Sequence, residues 1–207
     1  MISYFNAPFL YWELCNNHKE LKSIILPEIK NDYEVNREFY KKNNVWDCNC
    51  TSSFHNGEEK DLVSEFIFEK TSFVNDIFLA YNNMLKQLYD DGSITDYDQQ
   101  RFSDCYVQDI WYNYYEVGEN QDLHEHFPNA FSGIYLLDLS GDVNNTVWYN
   151  GSSNFPCDSR STFNQILSKH YDITEGNIII FPSRLPHHVP PTKNKKITIS
   201  FNIRLNE

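Results

Sequence analysis

The sequence predicts a mainly β protein with N-terminal helices, in which the strands form a β-sandwich or jelly roll. Up to about residue 100, apolar residues recur at helical spacing. After residue 104 the chain changes to short runs rich in aromatic and β-branched residues, separated by Gly, Asn, Asp and Pro clusters. Because no helical pattern separates these runs, antiparallel sheets are favoured over a βαβ arrangement.

The chain length predicts a single domain. With 207 residues the protein can bury one substantial core, and no repeat, low-complexity tract or linker divides it. We therefore expect one domain over residues 1–207, with a helical support region over 1–100 and a β core over 104–207.

The clearest helix is predicted from Ser72 to about Tyr89. Its apolar residues recur three and four positions apart, and Thr71 or Ser72 can cap its start. Earlier, one helix is expected from Leu14 to Leu26, ending before Pro27, and a more polar one over residues 31–42. Residues 46–57 are rich in turn-forming residues and predict a loop or a short strand.

Five later segments predict strands, and one long polar segment predicts a loop. The polar segment, Gly151 to Lys169, is the best candidate for a mobile loop over a site. In chain order the strand candidates read CYVQDIWYNYYEV, SGIYLLDL, TVWYN, NIIIFP and KKITISFNIRL. Their aromatic side chains are interpreted as core and pocket lining.

The composition narrows the function classes. A formal net charge of −12 and a pI near 4.9 argue against sequence-independent binding to nucleic acid or anionic membranes. The sequence contains no apolar run long enough for a transmembrane helix and no basic leader before its apolar start. An odd number of scattered cysteines, five in all, favours reduced thiols and a cytoplasmic location. Abundant Asn, Ile, Lys and Tyr favour an AT-rich genome, such as that of a marine phage or bacterium.

A pair of histidines indicates a metal site. His124 and His126 lie two positions apart, so both imidazoles of a strand would point to one face. By the same parity Asp122 lies on that face and is an alternative ligand. A third ligand is expected from FPSRLPHHVPP, which supplies His187 or His188.

A cation and a hydroxyl follow on the last strand. Lys196 and Thr198 share one strand face, nine and eleven residues after His187, and together they can bind a carboxylate. A plain metal-binding jelly roll has no need of such a pair.

Taken in order, HEH, GIYLL, LPHHV and KITISFNI resemble the motifs of the iron(II)- and 2-oxoglutarate-dependent oxygenases. The resemblance covers about residues 111–203 and is strongest to an H-x-H subgroup found in bacteria and marine phages. It implies a double-stranded β-helix, which is a cupin-like variant of the jelly roll. It also implies Fe(II) and 2-oxoglutarate as cofactors and dioxygen as co-substrate.

The resemblance also implies residue roles. His124 would be the first iron ligand, His126 would stand where the family has Asp, and His187 would be the distal ligand, with His188 as its alternate. Lys196 would pair with the C5 carboxylate of 2-oxoglutarate, and Thr198 would donate a second hydrogen bond. Tyr114 or Asn113 would help to hold the co-substrate.

Two function classes follow from these patterns. The first is a 2-oxoglutarate-dependent dioxygenase, a hydroxylase resembling prolyl hydroxylases, with a peptide or protein as a possible prime substrate. The second is a non-oxygenase, cupin-like metal binder or a viral accessory protein. The departure from the usual two-histidine, one-carboxylate site keeps the second class open, because His126 removes one negative charge from the metal. The pair Lys196 and Thr198 favours the first class.

Overall fold

The computed structural model describes residues 9–43, 48–54, 62–141, 146–149, 165–167 and 172–206. The segment predicted as a mobile loop, 151–169, lies outside these residues except for 165–167. Within the described residues, no helix is long and apolar enough to cross a membrane.

Four helices and ten strands make up the described chain. In order they are β1 (Tyr11–Leu14), α1 (His18–Lys42), β2 (Thr51–Ser52), α2 (Leu62–Lys70), α3 (Phe73–Asp90), α4 (Asp96–Ser103), β3 (Cys105–Tyr115), β4 (Gln121–His124), β5 (Phe131–Asp138), β6 (Val147–Tyr149), β7 (Gln165–Leu167), β8 (Asn177–Pro182), β9 (His187–Val189) and β10 (Lys196–Leu205).

The strands form two antiparallel sheets. The major sheet has the order β1-β8-β5-β10-β3-β2, and the minor sheet has the order β4-β9-β6-β7. From β3 onward the chain passes repeatedly between the two sheets, which is the arrangement of a jelly roll. The predicted fold class, mainly β with N-terminal helices, is therefore confirmed.

The central strand β10 has two buried faces of opposite character. Ile199 and Phe201 belong to the apolar cluster that includes the helices, whereas Thr198 and Ser200 line a cavity on the opposite face. All four side chains are less than 9% exposed. Strand alternation thus carries an apolar face toward the helices and a polar face toward the functional site.

The helices cover one face of the major sheet. The predicted helix after Ser72 is confirmed as α3, whose buried residues include Ile77, Tyr81 and Leu85. The short helices α2 and α4 are not among the predicted elements, since their 9 and 8 residues are too few to show a clear helical periodicity. The start of α4 is stabilised by a capping box between Thr95 and Asp98.

The predicted helix end at Pro27 is wrong, because α1 runs through this residue. A proline inside a helix costs about 3 kcal/mol. The helix nevertheless buries Leu21 and Ile25 before the proline, and Ile29 and Tyr33 after it, along one stripe. Burial of such side chains contributes about 1.5 to 3 kcal/mol each, which exceeds the cost of the proline.

Candidate metal centre

Three histidines converge on one point. One side-chain nitrogen from each of His124, His126 and His187 lies within 4.8 Å of the other two. His124 ends β4 and His187 begins β9, and the two are direct partners in the antiparallel register. His126 lies beyond the end of β4, where its backbone N–H donates to the carbonyl of Ser183 at 2.8 Å. This backbone bond, and not strand alternation alone, brings His126 to the other two rings.

Backbone carbonyls orient two of the imidazoles. Nδ1 of His124 lies 2.7 Å from the carbonyl oxygen of Asp122, and Nδ1 of His187 lies 3.0 Å from that of Leu185. Because a carbonyl only accepts hydrogen bonds, each Nδ1 must carry the proton, and each Nε2 keeps its lone pair. Nε2 of His187 lies 3.4 Å from Nε2 of His126. Nitrogen lone pairs therefore gather in one place, as metal ligation requires.

Burial keeps the three imidazoles neutral. It lowers the pKa of His126 to about 3, with a further contribution from the neighbouring His124. Burial also holds the pKa of His187 well below its usual value, and the nearby His124 and His126 add to this. The pKa of His124 is lowered by burial too, although its bond to the Asp122 carbonyl opposes the change. Neutral imidazole is the form that binds metals.

The geometry fits a divalent transition metal. An ion about 2.1 Å from each nitrogen places neighbouring ligand nitrogens about 3 to 3.5 Å apart. The separation of 3.4 Å between His126 and His187 meets this requirement. Three imidazoles suit iron, nickel, copper or zinc better than magnesium or calcium, which prefer oxygen ligands.

Asp122 is not part of this cluster. Gln121 pairs with Val189 and His124 pairs with His187, so three residue steps along β4 correspond to only two along β9. The prediction that Asp122 shares a face with His124 is therefore wrong, because a bulge reverses the parity. The Asp122 side chain is exposed and accepts a hydrogen bond from Asn120 at 2.8 Å.

His188 lies on the opposite side of β9 from His187. Its ring stacks on Tyr149 with centroids 5.5 Å apart, and the residue pairs with Val147 in the minor sheet. The choice of His187 over its neighbour as the inward-facing histidine thus agrees with the structure.

Beside the histidines runs a narrow cavity, called here the site cavity, between the two sheets. No carboxylate belongs to its lining among the described residues. Its lining consists of Trp111, Asn113, Tyr115, Gln121, His124, His126, Ile134, Thr146, His187, Val189, Lys196, Thr198 and Ser200.

Lys196 supplies the positive charge in the site cavity. Its residue is 4% exposed, and its ammonium group lies 4.7 Å from the centre of the Tyr115 ring. Thr198, which is 3% exposed, follows on the same face of β10. A buried ammonium is costly unless an anion or a π face compensates it, so this pair is suited to binding a carboxylate.

The two residues predicted on β3 have different positions. Asn113 lies in the site cavity directly opposite Thr198, and its amide nitrogen donates to Ser200 at 3.0 Å. Tyr114 instead stacks on Tyr33 of α1, with ring centroids 3.8 Å apart. Its assignment to the co-substrate is therefore corrected, because successive residues of a strand face opposite sides.

Two further residues of β3, which the sequence indicates only as core or pocket lining, also line the site cavity. Tyr115 lies under the Lys196 ammonium and donates from its hydroxyl group to Gln121 at 2.9 Å. The ring of Trp111 lies 5.6 Å from that of His126. Trp111, Asn113 and Tyr115 are alternate residues of one strand and therefore share a face. This alternation is the sequence signal that could have identified Trp111 and Tyr115.

A buried chain of polar groups supports the histidine turn. Ser183, whose carbonyl holds His126, shares a hydroxyl–hydroxyl hydrogen bond of 2.7 Å with Ser132. Ser132 in turn donates to Asn202, and the Asn202 amide donates to Asp109. The position of His126 is thus connected to the central strands of the major sheet.

One sequence comparison gives a partial match. The arginine–tRNA ligases of two strains of Ureaplasma parvum serovar 3 are 30% identical over 123 residues, which is 55% of this chain. The chain spans only 21% of the length of these curated relatives. Since most of the ligase has no counterpart here, its activity is not carried over.

Solved structures share the fold at low identity. A prolyl-4-hydroxylase from Pseudomonas putida superposes with a TM-score of 0.54 at 12% identity, covering 96% of this chain and 93% of that one. A viral collagen prolyl hydroxylase from Paramecium Bursaria Chlorella virus-1, in complex with 2-oxoglutarate, gives a TM-score of 0.50 at 12% identity. That match covers 95% of this chain and 97% of the viral one. Both are evidence for the same double-stranded β-helix.

The remaining comparison concerns the family. Residues 109–202 match the family model described as "Putative 2OG-Fe(II) oxygenase". This segment contains the three convergent histidines together with Lys196 and Thr198. Over these residues the chain is therefore similar to the 2OG-Fe(II) oxygenase family.

Proposed function

We propose that this protein is a 2-oxoglutarate-dependent dioxygenase that hydroxylates a peptide or protein substrate. One observation carries the proposal: the site cavity combines three neutral imidazoles with the buried ammonium of Lys196 and the hydroxyl of Thr198. A metal alone would need only the imidazoles. A co-substrate that chelates the metal at one end and carries a carboxylate at the other needs the imidazoles and also the pair Lys196 and Thr198.

In this proposal His124, His126 and His187 hold Fe(II) through one nitrogen each, and Lys196 and Thr198 bind the C5 carboxylate of 2-oxoglutarate. When bound, the iron supplies the oxidative decarboxylation of 2-oxoglutarate that is coupled to oxidation of the substrate. The histidines remain neutral during metal binding, because burial lowers their pKa values. The protein's own task is to orient the co-substrate and to keep the pocket dry.

The charges of the site also agree with this proposal. The described lining of the site cavity contributes the Lys196 cation and no carboxylate. A divalent metal would therefore bring two positive charges into a pocket that already holds one. The two carboxylates of 2-oxoglutarate offset the charge of the metal, and the distal one can pair with Lys196.

The surface next to the histidines supports a peptide substrate. Leu123 and Phe127, which flank the His124–His126 segment, are 61% and 60% exposed. The guanidinium of Arg184 lies 4.4 Å from the centre of the Phe127 ring. Exposed apolar groups beside a cation and aromatic rings are typical of surfaces that bind polypeptides. The prolyl hydroxylases with the same fold make proline-containing peptides the first class to test.

A reducing compartment is proposed for the same protein. Two cysteines of the described chain, Cys15 and Cys105, are free thiols. Such thiols persist in the cytoplasm, where iron is also more easily kept in its divalent state.

The proposal is tested by following succinate formation from 2-oxoglutarate by the iron-loaded protein in air, with and without proline-containing peptides. Turnover should require iron, should be lost in His187→Ala, and should increase with an accepted peptide. If the protein binds metal but neither binds nor consumes 2-oxoglutarate, the oxygenase assignment fails and a cupin-like metal binder becomes the better account.

A further inference from the structure

Trp111 carries a hydrogen-bond donor with no acceptor in the described protein. Its indole N–H is buried and has no partner among the described residues, and the residue is 3% exposed. Burying an N–H without an acceptor is unfavourable, because the donor loses its hydrogen bonds to water and gains none in return. Such a group in a functional cavity points to a ligand that supplies the acceptor.

The indole is held firmly beside the histidines. Its ring lies near that of Phe54, at a centroid distance of 4.9 Å, and near that of His126, at 5.6 Å. Trp111 also lies directly opposite Ser200 in the register of β3 against β10. The tryptophan is therefore positioned at the metal-binding part of the site cavity.

The polar groups of the site cavity are arranged in pairs along the two strands. Lys196 lies opposite Tyr115, Thr198 opposite Asn113, and Ser200 opposite Trp111. Successive pairs are two residues apart, which is roughly 6.5 Å along a strand. The donors Lys196 and Trp111 therefore occupy separate ends of this row, and the Trp111 end is the one beside His126.

A ligand that contacts both ends must offer an acceptor at each. An ammonium group and an indole N–H are donors only. An elongated dianion with a carboxylate at each end matches this pattern, whereas a monocarboxylate satisfies only one end. The carboxylate bound by the indole must be the one near the metal, since the other is paired with Lys196.

We propose that the indole N–H of Trp111 donates a hydrogen bond to the metal-side (C1) carboxylate of 2-oxoglutarate, so that Trp111 and Lys196 hold opposite ends of the co-substrate. This inference rests on the proposed function, because it requires 2-oxoglutarate to be the ligand. It assigns to Trp111 a direct contact with the co-substrate in addition to its packing.

Calorimetry on the manganese-loaded protein without oxygen separates the two ends. The probes are 2-oxoglutarate and 2-oxopentanoate, which keeps the keto-acid end but lacks the distal carboxylate. Trp111→Phe should weaken binding of both probes by a similar factor, on the order of 10- to 100-fold, because a hydrogen bond to a charged group is stronger than one between neutral groups. Lys196→Ala should weaken binding of 2-oxoglutarate much more than binding of 2-oxopentanoate.

Trp12→Phe is the matched control, because Trp12 lies on β1 and does not line the site cavity. It should bind both probes as the wild type does. If Trp111→Phe also binds 2-oxoglutarate as the wild type does, the inference about Trp111 is overturned while the proposed function stands. If the wild type itself does not bind 2-oxoglutarate, the proposed function fails instead.

A measurement on the wild-type protein avoids any dependence on how the variant folds. The chain contains four tryptophans, so the zinc-loaded, ¹⁵N-labelled protein should show four indole N–H resonances. The Trp111 resonance should move downfield and become protected from exchange when either keto acid is added. A Trp111 resonance that is unchanged at saturating 2-oxoglutarate, or that moves only when a peptide substrate is added, would overturn the inference.

Discussion

The Nε2 atoms of His126 and His187 face each other at 3.4 Å, although 61 residues separate them in the sequence. One short segment after β8 makes this contact possible. The carbonyl of Ser183 accepts the backbone N–H of His126, and the carbonyl of Leu185 accepts Nδ1–H of His187. The same turn thus positions both rings, which explains why two histidines from distant parts of the chain meet with their lone pairs together.

The first prediction concerns the metal ligands. His126→Ala removes one of three ligands and should reduce affinity for zinc or manganese by well over 100-fold. Asp122→Asn should change it by less than about tenfold, because the carboxylate is exposed and bonded to Asn120. Competition titration with a chelating dye measures both affinities. A larger effect from Asp122→Asn than from His126→Ala would show that the carboxylate is a ligand after all.

The second prediction concerns the distal carboxylate of 2-oxoglutarate. Lys196→Ala should weaken 2-oxoglutarate binding by about 2 to 5 kcal/mol, mainly because the carboxylate then stays buried without a partner. Lys195→Ala is the matched control, since Lys195 is exposed and pairs with Glu116 at 3.0 Å. Calorimetry with the manganese-loaded protein gives both values. Equal binding by the two variants would refute the role of Lys196.

The third prediction concerns the close packing of β5 on β10. Gly133 lies directly opposite Phe201, and a Cβ at position 133 would overlap the Phe201 ring. Because Phe201 is fully buried, Gly133→Ala should lower the free energy of unfolding by about 1 to 3 kcal/mol. Urea denaturation measures this loss. Adding Phe201→Leu makes room for the new Cβ, so the double variant should lose less free energy of unfolding than the two single variants together. A loss equal to the sum of the two single losses would contradict the explanation.

The fourth prediction concerns Glu175, which joins α1 to the major sheet. Burial raises its pKa, but hydrogen bonds from the Leu139 backbone and from Lys22 outweigh this, so that the pKa is lowered overall. A carboxylate with a lowered pKa stabilises the fold above its unfolded pKa of about 4.3, and this contribution is lost as the pH falls through the folded value.

Glu175→Gln should therefore lower the free energy of unfolding by about 1 kcal/mol at pH 7, because the side chain is about one-third exposed. The difference from the wild type should shrink below pH 4. Urea denaturation at pH 7 and pH 3.5 provides the comparison, with the exposed Glu28→Gln as control. A difference that persists at pH 3.5 would mean that packing, and not the charge, is responsible.

Local patterns in the sequence predict the fold class and several of the residues that line the site cavity. Strand alternation in β10 separates Lys196 and Thr198 from Ile197 and Ile199, and this local rule holds in the structure. The long helix α3 follows from its apolar spacing for the same reason. Patterns that depend only on the period of a helix or strand can be read from neighbouring residues.

The way in which these groups combine depends on contacts between distant parts of the chain. The bulge in β4 turns Asp122 away from His124, and neither residue signals a bulge. Pro27 is accepted within α1 because the residues around it bury their side chains against other elements. The polar face of β10, which alternation alone would leave to solvent, becomes a buried site because the minor sheet covers it. Each outcome depends on contacts between distant segments. The free energies of these contacts are larger than the intrinsic helix and strand propensities of single residues.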